Sequence, residues 1–202
     1  VILGLFYFGQ DQRVTDEQAV IAAVDATTRW IIAKKWRHVL VEVNNEANVK
    51  YDHDILKPKR VHELIQRVKA AGLLAGTSFG GGAVPTAEVI AHSDFLLIHG
   101  NGVKGPDAMR KFIAKVKQAR GDRQIPIVVN EDDHFDFDQP DNNFTAAVKE
   151  HVSWGFFDFR MKNETFDDGY QSVPVNWRIS SERKKGFFEL MRRMVGEGAS
   201  NP

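Results

Sequence analysis

Short apolar runs rich in β-branched and aromatic residues alternate along the chain with longer stretches of helical periodicity. Strands covered on both faces read as nearly continuous apolar sequence, and strands that alternate with helices indicate a parallel sheet. The pattern therefore predicts an α/β fold of six βα units, which we interpret as an incomplete TIM-type (β/α) barrel with outer helices. The predicted strands comprise residues 1–9, 38–46, 73–80, 95–100, 125–131 and 155–161.

The predicted helices carry their own boundary signals. Thr15 and Gln18 have the spacing of a capping box at the start of the first helix. Pro106 and Gly121 bracket a later helix, with proline in the first turn and glycine as the stop. Further helices are expected after Pro58, after Pro85, after Asn143 and from about Ser181 to Val195. On the last of these, we interpret the basic run at 183–185 as a solvated face.

Composition narrows the function classes. The 202 residues are 43% hydrophobic, which suits one domain spanning residues 1–202. Basic and acidic residues number 27 each, so no charge field favours nucleic acid, and no apolar run is long enough to span a membrane. Cysteine is absent, which excludes disulfides and thiolate metal sites. The compartment stays open, with a secreted or periplasmic location slightly favoured.

Two predicted strands end in Asn-Glu, at Asn45-Glu46 and Asn130-Glu131. In a βα barrel the site is built at the carboxyl ends of the strands, and buried carboxylates usually need partners or a task. Glycosidic bond cleavage requires a proton donor and a second carboxylate, which two such glutamates would supply. A purely structural interpretation also stands, in which both glutamates form ion pairs at the barrel rim, one of them with Arg160.

The segment 39–48, Val-Leu-Val-Glu-Val-Asn-Asn-Glu-Ala-Asn, resembles the fourth strand of the clan A glycoside hydrolases, in particular the family 5-like cellulases. In that clan an Asn-Glu pair ends strand four and its glutamate is the acid/base, which corresponds to Asn45 and Glu46. A glutamate that ends strand seven is the nucleophile, and segment 126–131 matches it with Glu131. The six strands would then correspond to strands three to eight, and the first two βα units would be lacking.

The resemblance implies a retaining glycoside hydrolase that cleaves β-glycosidic bonds in oligo- or polysaccharides. Glu46 would be the acid/base and Glu131 the nucleophile, without a metal or an organic cofactor. His99 ends the fourth predicted strand, which corresponds to strand six of the clan. It would line the site, or else it is a structural histidine at the rim. A non-catalytic carbohydrate-binding or structural barrel fragment is the alternative function. The expected substrate-binding residues are Asn45, His99, Asn130, Arg160 and Trp177.

Two further features bear on partners. The acidic run at 132–138 could bind Ca²⁺, but it lacks the spacing of a known calcium loop, so hydrogen bonding to substrate or backbone is favoured.

Six strands leave two open edges where a complete barrel has none. We therefore expect either a piece of a longer protein, because the chain opens inside a buried strand, or self-association through those edges.

Overall fold

The computed structural model describes residues 1–159, 162–164, 179 and 181–197. Every strand pairing in this part of the chain is parallel. The strands are β1 (Ile2–Phe6), β2 (Leu40–Asn44), β3 (Ala75–Gly76), β4 (Ser78–Phe79), β5 (Leu96–His99), β6 (Ile127–Asp132) and β7 (Ser153–Phe156). The helices are α1 (Glu17–Ala33), α2 (Val61–Ala70), α3 (Ala87–His92), α4 (Pro106–Arg120), α5 (Asn143–Lys149) and α6 (Glu182–Glu197).

Strands β3 and β4 are two pieces of one extended segment, separated by Thr77. The first piece pairs with β2 and the second with β5, so the sheet changes partner within this segment. The N–H of Ala47, beyond the end of β2, also donates to the carbonyl of Ser78 at 2.9 Å. The strands therefore occupy six consecutive parallel positions. This confirms the predicted α/β fold of incomplete TIM-barrel type.

Strand β2 shows how the sheet separates its two faces. Val41 and Val43 are fully buried in a hydrophobic cluster that includes Val20 and Val24 of α1. Because side chains alternate across a strand, Glu42 points to the opposite face, which is the inner side of the barrel. A second cluster packs β5 and β6 against α4 in the same way. The helices thus cover the outside, and polar side chains are left for the interior and the strand ends.

Some local predictions were wrong and others were confirmed. The first helix is capped by Asp16, whose carboxylate accepts the N–H of Ala19, because Asp16 lies at the required spacing and Thr15 lies outside it. Helix α4 begins at Pro106 and is followed by Gly121 at a φ of 60°, as predicted. Strand β7 ends at Phe156, so most of the predicted strand 155–161 lies beyond it.

The basic run at the start of α6 is not a simple solvated face. Arg183 is only 13% exposed and forms ion pairs with Asp158 and Glu164. Its guanidinium also lies over the ring of Phe135, 5.2 Å from the ring centroid. Arg183 therefore joins α6 to the segment after β7. None of the helices in the described ranges is long and apolar enough to cross a membrane.

Candidate active site

His99 brings the two predicted carboxylates together. It ends β5 and its side chain is fully buried. Its Nδ1 atom lies 2.9 Å from Oε1 of Glu46 and 3.6 Å from Oε2 of Glu131. Three strand ends, those of β2, β5 and β6, thus contribute to one cluster of two carboxyl groups and one imidazole. The predicted pairing of Glu46 with Glu131 agrees with this geometry, and His99 is the group that links them.

The environment of Glu131 favours its protonated form. Burial raises the pKa of this carboxyl, and the nearby charge of Glu46 raises it further. A positive charge on His99 and the hydrogen bond from Asn45 act in the opposite direction, without cancelling the effect of burial. A raised pKa moves a carboxyl group toward the range that suits a general acid.

Glu46 is held in a conformation that few residues adopt. Its φ is 50°, in the left-handed region that costs a non-glycine residue about 1 kcal/mol or more. Its N–H donates to Oγ of Ser78 at 2.7 Å, which fixes the backbone there. Its carboxylate lies against Gly80, where an added Cβ would come within 2.1 Å of Oε1. The turn after β2 and the glycine after β4 therefore aim Glu46 at His99.

The neighbouring asparagines differ in their surroundings. Asn45 is buried, its Nδ2 donates to Glu131 Oε1 at 3.1 Å, and its carbonyl accepts the hydroxyl of Tyr51. Asn130 is half-buried, and its Oδ1 has no hydrogen-bond partner among the described residues. Asn45 therefore orients Glu131, and a direct contact of either asparagine with a substrate stays a prediction. Arg160 and Trp177, the other predicted binding residues, lie outside the described residues.

Tyr7 is a site residue that the sequence prediction missed. It follows β1 directly and is 50% exposed, with its ring stacked on that of Phe8 at 4.4 Å. Burial, followed by the charges of Glu131 and Glu46, raises the pKa of its phenol. The available signal was an amphipathic aromatic residue near the end of the predicted strand 1–9.

Glu42 is the second residue that the sequence prediction missed. It is only 6% exposed, and burial raises its pKa to about 7, although hydrogen bonding by Ser78 and the charge of His99 lower it in part. An acidic residue inside an otherwise apolar strand was the signal available in the sequence. It lies on β2, four residues before Glu46. We name Glu46, His99 and Glu131 together the acid–base cluster.

Asp132 forms a separate centre behind the acid–base cluster. It is fully buried and accepts hydrogen bonds from His134, from Nδ2 of Asn143 and from Nε1 of Trp154. Asp132, Asp133 and His134 each place one potential ligand atom within 4.8 Å of the others. Because both Asp132 oxygens already accept protein hydrogen bonds, the arrangement supports hydrogen bonding as the role of this part of the acidic run.

Comparison with protein-family models and with curated proteins gave no match. Solved structures do match the fold. The N-terminal domain of a protein described as an aldolase, from Bacteroides vulgatus, has a TM-score of 0.42 and 11% identity, over 94% of this chain and 87% of that chain. A structure described as native KDPGal has a TM-score of 0.44 and 11% identity, over 96% of this chain and 95% of that chain.

These findings correct the predicted family. Neither of the structures reported above is described as a glycoside hydrolase, and no family model supports the resemblance to clan A. The predicted glycoside hydrolase activity and its retaining mechanism are therefore wrong. The physical reason is that Asn-Glu is a short motif, which any barrel can carry at a strand end. At 11% identity and TM-scores below 0.5, this likeness assigns no reaction to the chain.

Proposed function

We propose that this chain is a lyase-type enzyme that uses general acid–base catalysis on a small hydroxylated molecule of carbohydrate character. The observation that supports this most is the position of one His99 nitrogen, 2.9 Å from Glu46 and 3.6 Å from Glu131. Three groups that share protons at one point can take a proton from one atom of a substrate and return it to another.

The two glutamates have different roles in this proposal. Glu131, whose pKa is raised chiefly by burial, acts as the acid. Glu46, which hydrogen-bonds to His99, acts as the base. Elimination, or aldol-type cleavage of a hydroxy carbonyl compound, requires such a pair: the base removes a proton as one bond breaks, and the acid protonates the leaving oxygen or carbon.

The groups in the acid–base cluster suit proton transfer and not imine formation. Schiff-base chemistry needs a lysine amine next to the carbonyl of the substrate. None of the seven strands in the described part of the chain contains lysine, and the residues at the acid–base cluster are carboxyl, imidazole, amide and phenol groups. Proton transfer among Glu46, His99 and Glu131 therefore carries the proposed reaction.

The surroundings of the acid–base cluster favour a hydroxylated substrate. Tyr7 presents a half-exposed ring and a phenol that stays protonated, because burial and two nearby carboxylates raise its pKa. Asn130 has a carbonyl oxygen without a partner among the described residues, which suits a hydroxyl donor. An aromatic ring beside amide and carboxyl groups matches a compact molecule with several hydroxyl groups and one less polar face.

Proton exchange in D₂O tests the reaction class without knowledge of the substrate. The protein is incubated with a panel of aldoses, ketoses, sugar acids and β-hydroxy ketones, and proton NMR follows deuterium incorporation and cleavage products. We expect exchange next to the carbonyl, or cleavage, for at least one compound. Glu131→Gln should abolish it, and the exposed-helix variant Glu88→Gln should retain it. Absence of exchange across the panel, or exchange that survives in Glu131→Gln, contradicts the proposal.

We also propose self-association through the open sheet edges. Strands β1 and β7 each pair with one strand in the described ranges. Beside β1, an apolar groove is lined by residues that include Leu3, Leu5 and Trp30, and Trp30 is 49% exposed. An open edge next to an apolar groove favours association with a second copy. Sedimentation velocity should show a dimer that weakens in Trp30→Glu, and a monomer at all concentrations contradicts this.

A further inference from the structure

The turn after β2 is tied to the end of β4 by hydrogen bonds at three successive residues. The N–H of Glu46 donates to Oγ of Ser78 at 2.7 Å, and the N–H of Ala47 donates to the carbonyl of Ser78 at 2.9 Å. The third connection uses a side chain. The N–H of Gly80 donates to Oδ1 of Asn48 at 2.9 Å, and Nδ2 of Asn48 donates more weakly to the carbonyl of Gly80, at 3.4 Å.

The side chain of Glu46 occupies the space that a side chain at position 80 would need. A Cβ added to Gly80 would come within 2.1 Å of Oε1 and 2.8 Å of Cγ of Glu46. The φ of Gly80 is not positive, so this contact, and not the backbone conformation, requires glycine there. The same Oε1 lies 2.9 Å from Nδ1 of His99. Gly80 is therefore the surface against which Glu46 packs while it contacts the imidazole.

Asn48 holds Gly80 from the solvent side of this arrangement. Asn48 is exposed, whereas Gly80 is buried. The N–H of Gly80 lies beyond the end of β4, where the pairing with β5 has stopped, and Oδ1 of Asn48 is its acceptor. A buried N–H that loses its partner is unfavourable, so without Asn48 the end of β4 would shift to find another acceptor. Such a shift would move the surface on which Glu46 lies.

We propose that Asn48 is a positioning residue, which fixes Gly80 and thereby keeps Oε1 of Glu46 at hydrogen-bond distance from His99. Within the described part of the chain, the side-chain hydrogen bonds of Asn48 go to Gly80, so its effect on the acid–base cluster passes through Glu46. The consequence for catalysis rests on the proposed acid–base function. The hydrogen bond itself can be measured without a substrate.

Proton NMR of the imidazole N–H groups tests the inference on the whole chain, labelled with ¹⁵N in the histidine rings. An ionised carboxylate can only accept, so the Nδ1 proton of His99 should resonate downfield, and Glu46→Gln should move it upfield and so assign it. Asn48→Ala should also move it upfield, and Asn48→Asp, which keeps the acceptor for Gly80, should restore most of the shift. The exposed variant Glu88→Gln is the control and should match wild type. An unshifted resonance in Asn48→Ala overturns the inference.

A pair of glycine variants tests the same contact from the other side. Gly80→Ala places a methyl group where Oε1 of Glu46 lies, so the carboxylate has to leave His99 and the downfield resonance should be lost. Gly81→Ala is the matched control. Its φ of 64° strains an alanine, but the added Cβ meets no atom within 4 Å, so the resonance should remain. Loss of the resonance in both variants, or in neither, overturns the inference.

Kinetics separates this inference from the proposed function. Where D₂O exchange identifies a substrate, Asn48→Ala should lower kcat by about ten- to a hundredfold, because a misplaced base transfers protons poorly. KM should change less than about threefold, and Asn48→Asp should recover most of the rate. If the resonances shift as expected but no compound reacts, the proposed function fails and the role of Asn48 in placing Glu46 stands. If a substrate is found and kcat of Asn48→Ala equals that of wild type, the inference fails and the function stands.

Discussion

Glu131 and Asp132 are adjacent acidic residues on β6, but their burial and their hydrogen-bond partners differ. Asp132 is fully buried, and its two oxygens accept hydrogen bonds from His134, Asn143 and Trp154. Glu131 is partly exposed at the strand end, accepts one hydrogen bond from Asn45 and lies beside His99. One carboxylate is thus surrounded by donors, and the other keeps capacity for a further partner.

The difference separates a structural acid from a chemical one. A buried carboxylate with all its acceptor positions filled stabilises the fold, and removing it leaves several donors unpaired. A carboxyl group with a raised pKa and few donors contributes little to the fold but can exchange a proton. Glu42 belongs with Glu131 on this criterion, since burial raises its pKa to about 7 and its Oε1 is unpaired.

Glu131→Gln should give the largest effect on activity and little effect on stability. Replacing a general acid by an amide removes a contribution of about 10²–10⁴-fold to the rate. The fold should be unharmed, because the amide keeps the size of the side chain and can still accept from Asn45. Steady-state kinetics on the compound found by D₂O exchange, together with thermal unfolding, measures both. A variant that unfolds several degrees lower while turning over normally would reverse the assigned roles of the two acids.

Asp132→Asn should show the opposite pattern. In the variant, the side-chain amide replaces one acceptor oxygen with an N–H donor, which would face the donors of Trp154 and Asn143. The negative charge that strengthens the remaining hydrogen bonds is also lost. We expect the free energy of unfolding to fall by about 3 kcal/mol, as measured by urea denaturation. The neighbouring variant Asp133→Asn, at a half-buried position, is the matched control and should cost under about 1 kcal/mol. Activity per folded molecule should stay within tenfold of wild type.

The strand positions and the cluster at their ends were predictable from the sequence because both follow from local patterns. Five of the six predicted strands cover the observed strands to within one residue, although β1 ends three residues earlier than predicted. The sixth, 155–161, shares only its first two residues with β7, since aromatic residues continue past that strand. The meeting of Glu46 with Glu131 followed from the rule that strand ends share one face.

Other features depend on contacts between distant segments and could not be predicted from local pattern. The left-handed φ of Glu46 is set by Ser78 and Gly80, more than thirty residues away. The burial of Arg183 depends on its ion pairs with Asp158 and Glu164 across the chain. The reaction class was also out of reach, because a two-residue motif at a strand end fixes which groups are present and not what they act on.

Glu42→Gln should change stability in a manner that depends on pH. The pKa of Glu42 is raised to about 7 in the fold and has its ordinary value near 4.5 in the unfolded chain. Below pH 4.5 both states are protonated and the two proteins should be equally stable. As pH rises toward 7 the wild type loses stability that the variant keeps, on the order of 2–3 kcal/mol at pH 8. Urea denaturation across pH measures this difference.

A control with the opposite sign sharpens the Glu42 prediction. The pKa of Glu63 is lowered by its hydrogen bonds with Arg60, so its stabilising contribution is present above the unfolded pKa and is lost in acid. Glu63 is partly exposed, and the contribution should be well under 1 kcal/mol. Glu63→Gln should therefore be slightly less stable than wild type at pH 8. If Glu42→Gln behaved in the same direction, its carboxylate would be stabilising and Glu42 would belong with Asp132.

Tyr7 should show the smallest effect, and it distinguishes a ring contact from a hydroxyl contact with the substrate. Tyr7→Phe keeps the stacking on Phe8 and removes a phenol that stays protonated beside two carboxylates. A hydrogen bond from that phenol to the substrate is worth about 1 kcal/mol, so kcat/KM should fall about three- to tenfold without loss of stability. Tyr7→Ala should raise KM further. Equal activity of Tyr7→Phe and wild type would leave the ring alone as the contact, and equal activity of Tyr7→Ala would remove Tyr7 from the site.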